Sequence, residues 1–147
     1  MQLPQYVTAE EVQRVCGELG LSDWSRKTDD TVDADEAGII LAEVNGEKMT
    51  IPVETFIAGL VVELEHGTRF ADANVTNNHP LLTGKIVLAH LKETMDYYER
   101  ILVAELEGDL LKAILAGNPE KVTDKYKKLI DARQELDRSV TNSLGKG

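Results

Sequence analysis

The composition of this chain argues against several classes of protein before any element is assigned. Its 147 residues are enough for one domain, and 26 acidic residues against 16 basic ones give a formal net charge of −10. No stretch gathers enough lysine and arginine to follow a phosphate backbone, which argues against nucleic acid or an anionic membrane surface as a partner. Cys16 is the only cysteine, so an intrachain disulfide is excluded.

The first helix is predicted from a capping box. In Thr8-Ala9-Glu10-Glu11, the threonine hydroxyl and the second glutamate can each bond a backbone N–H that the first helical turn leaves free. Apolar side chains then recur on one helical face, and the helix is expected to end near Gly20. Trp24 is expected to pack against the body of the domain, and residues 23–36 are interpreted as an acidic linker.

The next pattern predicts a β-hairpin at about residues 38–53. Two β-prone runs flank Asn45-Gly46, a dipeptide typical of a type I′ turn, in which both turn residues have positive φ. A two-stranded hairpin is marginal by itself, so we expect it to lie on a helix or on a partner's sheet.

Three further helices are predicted. One follows Pro52 and ends at Gly67, and one long central helix spans residues 83–117 because its apolar residues fall at steps of three and four. The last begins at Asn118-Pro119, and the short connection makes it an antiparallel neighbour of the central helix. Six apolar residues form a predicted interaction stripe on these two helices: Leu106, Leu110, Val122, Tyr126, Leu129 and Leu136.

The predicted fold class is therefore mainly α (α+β): a small helical domain with one β-hairpin and a C-terminal antiparallel helical hairpin. We divide the chain into a helical domain over residues 1–117 and a C-terminal helix with its tail over residues 118–147. The latter is expected to pack on the central helix or on a partner.

Two polar pairs stand out as candidate chemistry. Glu63 and His66 are three residues apart on one helix, and His90 and Glu93 repeat the spacing in the opposite order on the next. If these helices run antiparallel the four groups can meet, as Glu-x-x-His motifs do in ferritin-like metal sites. Such sites need further glutamates from two other helices, and the sequence offers no convincing pair of them. A hydrogen-bonded network without metal or cofactor is therefore the preferred interpretation. His79, which precedes a proline, is expected to face solvent.

Several short motifs resemble a small uncharacterised family found in bacterial and bacteriophage genomes. They read F-x-x-G-x-x-x-E-x-E-H-G (56–67), N-V-T-N (74–77), L-T-G-K-I (82–86), H-L-x-E (90–93) and D-Y-Y (96–98). The resemblance covers about a third of the chain and implies no activity. It does imply a bacterial or bacteriophage setting.

The residue patterns favour a non-enzymatic structural or interaction protein. The resemblance alone implies that it is an accessory bacteriophage virion component, head-associated or decorating the capsid. Its expected partners are copies of itself or a capsid protein. One alternative is a helical metal-binding protein with a ferritin-like oxidoreductase role, and another is a cytoplasmic regulator that binds a basic protein. The N-terminus lacks the pattern of a secretory signal peptide, so we expect a location in the virion or the cytoplasm.

Overall fold

The fold is built from α-helices. A computed structural model describes residues 7–145, and within that range six α-helices and two short 3₁₀ turns account for all of the regular structure. The helices are α1 (Ala9–Leu19), α2 (Ala34–Val44), α3 (Val53–Arg69), α4 (Pro80–Glu93), α5 (Tyr97–Leu115) and α6 (Pro119–Leu144). The 3₁₀ turns are Trp24–Arg26 and Ala71–Ala73. The mainly α prediction is confirmed.

The predicted β-hairpin at about residues 38–53 is wrong. Its first strand is instead part of α2, which begins within the predicted acidic linker because the Asp33 carboxylate caps it by accepting from the N–H groups of Asp35 and Glu36. Asn45 has a negative φ, so the type I′ turn is absent. Its side-chain amide instead exchanges two hydrogen bonds with the Met49 backbone, at 2.8 and 2.9 Å, and closes a loop.

The predicted central helix is divided into two. The interruption falls at Thr94-Met95-Asp96, where the Asp96 carboxylate accepts from the Thr94 hydroxyl and from the Arg100 guanidinium. These local bonds compete with the helical pattern of backbone bonds. The Arg100 hydrogen bond, with help from Thr94, lowers the pKa of Asp96 and keeps this junction ionised.

The chain forms two compact units, residues 1–92 and 93–147. In the first, α2 packs on α3, and α4 passes so close that a Cβ on Gly84 would lie 2.7 Å from Ile40 and 3.3 Å from Phe56. Trp24 is fully buried, and its indole N–H donates to Glu36 at 2.9 Å, which anchors the segment after α1. The largest buried side chains of this unit are Trp24, Phe56, Ile40, Leu60, Leu64 and Leu91.

The second unit is an antiparallel helical hairpin of α5 and α6. Its direction is visible in three contacts between side chains of the two helices: Asp109 with Lys125, Glu107 with Arg133, and Glu99 with Ser139. A small core of Leu106, Leu129 and Ala132 lies between the helices, with Val103 and Leu110 packed against it. Gly117 adopts a φ of 62° and ends α5, as the sequence predicts.

Candidate functional site

A cleft of about 280 Å³ lies in the first unit, between the second half of α3, the loop after it and the first half of α4. Two of its apolar side chains stand at the surface: Phe70 is 56 % exposed and Val75 is 85 % exposed. Thr83, by contrast, is 2 % exposed. The complete lining is Glu63, His66, Gly67, Phe70, Ala73, Asn74, Val75, Thr76, Thr83 and Ile86. The cleft thus combines apolar walls with a few polar groups, which is typical of a small-molecule site.

One side of the cleft is shaped by asparagines. The Asn74 amide donates to the Asn78 side-chain oxygen at 3.1 Å, and Asn77 and Asn78 both adopt left-handed backbone conformations, with φ of 48° and 58°. Gly67 of α3 faces this pair so closely that a Cβ there would lie 2.0 Å from Asn78 Oδ1. The sequence therefore places a glycine within α3 for close packing, and the helix ends at Arg69 rather than at Gly67.

His79 ends the loop and caps α4. The prediction that it faces solvent is wrong, because the residue is only 7 % exposed. Its Nδ1 accepts from the N–H groups of Leu81 and Leu82, at 3.2 and 3.4 Å, while its carbonyl accepts from Thr83 at 2.9 Å. These are the bonds of an N-cap residue, followed by Pro80 in the first helical position. Burial lowers the pKa of His79, so the neutral imidazole is the form that the fold holds.

The structure brings together three of the four candidate metal-ligating residues. A Glu63 carboxylate oxygen lies 3.4 Å from His66 Nδ1, and the other lies 3.7 Å from His90 Nε2. The Glu63 side chain is 10 % exposed, His90 is 28 % exposed, and His66 stands at the rim at 65 %. Glu93, at the end of α4, is exposed. Between residues 7 and 145, no three histidine, cysteine or acidic side chains are grouped so that they could hold a metal ion.

Chemically, Glu63, His66 and His90 form a polar cluster, of which Glu63 and His66 line the cleft. A carboxylate beside two imidazoles can accept hydrogen bonds from them, and it can attract a cation that enters the cleft. The buried hydroxyl of Thr83 and the Asn74 amide supply further hydrogen-bonding groups in the same lining. Sequence reasoning identified Glu63 and His66 but missed Asn74, Thr76 and Thr83, because their role depends on where the loop folds. The one available signal was the density of asparagine in residues 74–78.

The predicted interaction stripe is divided between two environments. Leu106 and Leu129 are buried in the seam between α5 and α6, and Leu110 packs at its edge. Val122 and Leu136 are half-buried, whereas Tyr126 is 53 % exposed. Two further apolar residues that the stripe did not include are also exposed, Ile114 at 54 % and Ile130 at 38 %. The hairpin thus has an internal apolar seam and, apart from it, apolar side chains at the surface.

The fold and the cleft define a small all-helical domain followed by a helical hairpin. The family described as protein of unknown function (DUF5661) matches residues 12–107, and the chain belongs to that family. The matched range contains the whole cleft and the first part of α5. No curated protein and no solved structure matches the chain significantly. In the part of the chain that the structure describes, no helix combines the length and the apolar character needed to cross a bilayer.

Proposed function

We propose that the protein is a non-enzymatic interaction protein that associates with a second copy of itself through one face of its helical hairpin. The observation that carries this proposal is the exposure of three large side chains on that face: Ile114 at 54 %, Tyr126 at 53 % and Ile130 at 38 %. We call Leu110, Ile114, Tyr126 and Ile130 the apolar face. Surface patches of this kind are typical of protein interfaces.

Helix geometry places these four residues on one side of the hairpin. Residues three, four or seven apart share a side of an α-helix. Leu110 and Ile114 follow Glu107 by three and seven residues, and Tyr126 and Ile130 precede Arg133 by seven and three. Because Glu107 and Arg133 pair at 2.6 Å across the hairpin, the two helices contribute to the same face.

The other side of the hairpin carries more charged residues, although Leu102 is also exposed there. It is marked by the pair of Asp109 and Lys125, at 2.7 Å. The residues that share that side by the same spacings include Glu105, Lys112, Lys121 and Lys128. A two-helix layer that exposes several apolar side chains on one side is stabilised when a second layer covers them.

The distribution of charge along the chain favours a second copy of the hairpin as the layer that covers the apolar face. Residues 93–147 hold 11 acidic and 9 basic residues, a net charge of −2, whereas residues 1–92 hold 15 and 7, a net charge of −8. Two hairpins therefore repel one another far less than two N-terminal units do. Helix α5 has a net charge of −2 and α6 of +1. A two-fold arrangement that sets each α5 against the partner's α6 brings opposite charges together.

We propose further that this assembly belongs to a bacteriophage particle, as a head-associated or capsid-decorating component. The support is the resemblance of the motifs between residues 56 and 98 to a family found in bacterial and bacteriophage genomes. The acidic N-terminal unit is suited to contact a basic surface on a capsid protein. A salt-sensitive association between the purified protein and phage heads would support this assignment, and equal binding to unrelated particles would contradict it.

The position of Glu63 between two imidazoles favours a second candidate, a helical metal-binding protein with a ferritin-like oxidoreductase role. This candidate predicts that the His66→Ala/His90→Ala double variant loses bound iron or zinc and stays folded. Elemental analysis of the purified wild type and double variant measures the iron and zinc bound per chain and tests this candidate. Equal and substoichiometric metal in both proteins would contradict it.

Sedimentation velocity of the full chain tests the interaction proposal. We expect Ile114→Glu and Tyr126→Glu to shift the protein from dimer to monomer while the helical content is kept, because both residues are already half-exposed. Leu102→Glu is the matched control: Leu102 is 48 % exposed but shares its side of α5 with Asp109, seven residues on. A monomeric wild type, or equal dissociation by the Leu102 variant, would contradict the proposal.

A further inference from the structure

The proposed self-association involves residues of the hairpin only and makes no use of the cleft, whose lining residues all belong to the first unit. We propose that this cleft binds a small organic ammonium ion, namely a primary amine attached to a short apolar group. The residues that line the cleft, their charge and the size of the cleft support this assignment.

The charge of the lining selects for a cation. Among its ten residues Glu63 is the only acid, and none is lysine or arginine. The Glu63 side chain is 10 % exposed, so its carboxylate lies in a partly dehydrated setting where an ion pair is stronger than at the open surface. The net charge of −8 on residues 1–92 attracts cations and repels anions at longer range.

The polar lining suits the three donors of an ammonium group. A carboxylate has about four lone-pair positions and can accept from an ammonium as well as from neighbouring imidazoles. Thr83 and Asn74 line the same cleft, and each has a side-chain oxygen that can accept a hydrogen bond, although the Asn74 oxygen also accepts from the Thr76 hydroxyl at 3.5 Å. A ligand with a hydroxyl in place of the ammonium offers one donor and no charge, so it forms weaker hydrogen bonds with Glu63.

The apolar residues of the lining suit an apolar group. Phe70, Ala73, Val75 and Ile86 line the cleft, and Val75 is 85 % exposed. A bound hydrocarbon or phenyl group removes these surfaces from water, which is favourable. The volume of about 280 Å³ is at the lower end for ligand sites and fits a single ring with a short amine arm, rather than a nucleotide.

The test is a titration of the full-length, isotope-labelled protein with phenethylamine, followed by amide chemical shifts. Phenethyl alcohol is the neutral analogue and phenylacetate the anionic one. For a ligand of this size we expect a dissociation constant on the order of 1 mM. Shifts should saturate at Gly67, Thr76 and Thr83, the alcohol should bind about tenfold more weakly, and phenylacetate should not bind.

Variants of the lining test which residues bind the ammonium group and the apolar group. Glu63→Gln should remove the preference for the amine over the alcohol, whereas Glu65→Gln, two residues away and outside the lining, should keep it. Phe70→Ala alters a half-exposed side chain, so it should stay folded and bind the amine several-fold more weakly. If Glu63→Gln does not fold, the Phe70→Ala variant still tests the proposal.

Three results would overturn the proposal: equal binding of the amine and the alcohol, no saturable binding of the amine, or the same loss of preference in both glutamate variants. Saturable uptake of Zn²⁺ by the same residues, with exclusion of phenethylamine, would also overturn it. Because the apolar face is distant in sequence and unaltered in these variants, their sedimentation should match that of the wild type. The two proposals can therefore fail separately.

Discussion

At the scale of single residues, Gly67 is the position where the shape of the cleft depends on the absence of a side chain. A Cβ there would lie 2.0 Å from Asn78 Oδ1 and 2.7 Å from Asn74 Nδ2. Asn78 is 5 % exposed and has a φ of 58°, so it has little room to move. We predict that Gly67→Ala breaks the hydrogen bond between the two asparagines and lowers the free energy of unfolding by about 2 kcal/mol.

Urea denaturation measures this change, with Gly38→Ala as the control. Gly38 lies within α2 and has no atom within 4 Å of its would-be Cβ. Its replacement should stabilise the protein by about 0.5–1 kcal/mol, because alanine has less conformational freedom to lose on folding. Similar effects of the two variants would show that the asparagine loop does not pack against Gly67 as described.

His79 gives a second prediction at this scale, the direction of a pH dependence. Burial lowers its pKa in the folded protein, an effect opposed by Glu11 of α1 and reinforced by Arg14 of the same helix. The unfolded chain therefore binds the proton more readily, and the stabilisation that His79 provides is complete above its unfolded pKa of about 6.5. It is lost as the pH falls towards the folded pKa, because a protonated Nδ1 cannot accept from Leu81 and Leu82.

The measurement is the free energy of unfolding from pH 7.5 down to pH 5, for the wild type and for His79→Asn. Asparagine caps helices well and does not titrate in this range, so the variant should lose less stability than the wild type as the pH falls. Parallel curves for the two proteins would contradict the assigned role of His79.

At the scale of elements, the hairpin depends on its internal seam. Leu129 is 3 % exposed and packs with Leu106 and Ala132. We predict that Leu129→Asp, and likewise Leu106→Asp, destabilises the pairing of α5 and α6 by about 3 kcal/mol or more, since a carboxylate replaces a buried apolar group. Thermal melting and sedimentation should both change.

Gln134→Asp is the control, because it adds the same charge at an exposed site of α6 and should change neither measurement. Unchanged melting in the Leu106 and Leu129 variants would count against the hairpin.

The same scale shows what the sequence could and could not predict. Terminal signals were sufficient where they act locally: Thr8 caps α1, Asn118-Pro119 starts α6, and the short connection makes α5 and α6 antiparallel. The prediction of a β-hairpin is wrong because the β-prone segment Ile39-Ile40-Leu41 lies within a helix. Asp33 caps this helix, and Ile40 is fully buried in the core. Tertiary packing decided between two local options that periodicity alone could not separate.

The sequence predicted part of the candidate site, as it did part of the fold. The spacing of Glu63 and His66, and of His90 on the next helix, was enough to place them together once α3 and α4 are paired. The rest of the cleft depends on two left-handed asparagines and a close contact at Gly67, which are features of the folded loop. The prediction that His79 faces solvent is wrong because a histidine before proline in a polar loop gives no signal of its capping bonds.

At the scale of the whole molecule, we propose different roles for the two units. The N-terminal unit, with its net charge of −8, contains the cleft, and the hairpin, with −2, is expected to provide self-association. On this view, the apolar face and most of the negative charge belong to different parts of the chain because they have different roles. This view predicts that association strengthens only slightly with added salt, because apolar burial rather than charge dominates it.

Native mass spectrometry of the full-length protein, before and after treatment with a chelator, tests this account most directly. We predict a mass of twice that of a single chain, unchanged by the chelator, and a single-chain mass for Ile114→Glu. A monomeric wild type would contradict the role of the apolar face. A species carrying one or two metal ions that the chelator removes would replace the interaction protein with the metal-binding one, centred on Glu63, His66 and His90.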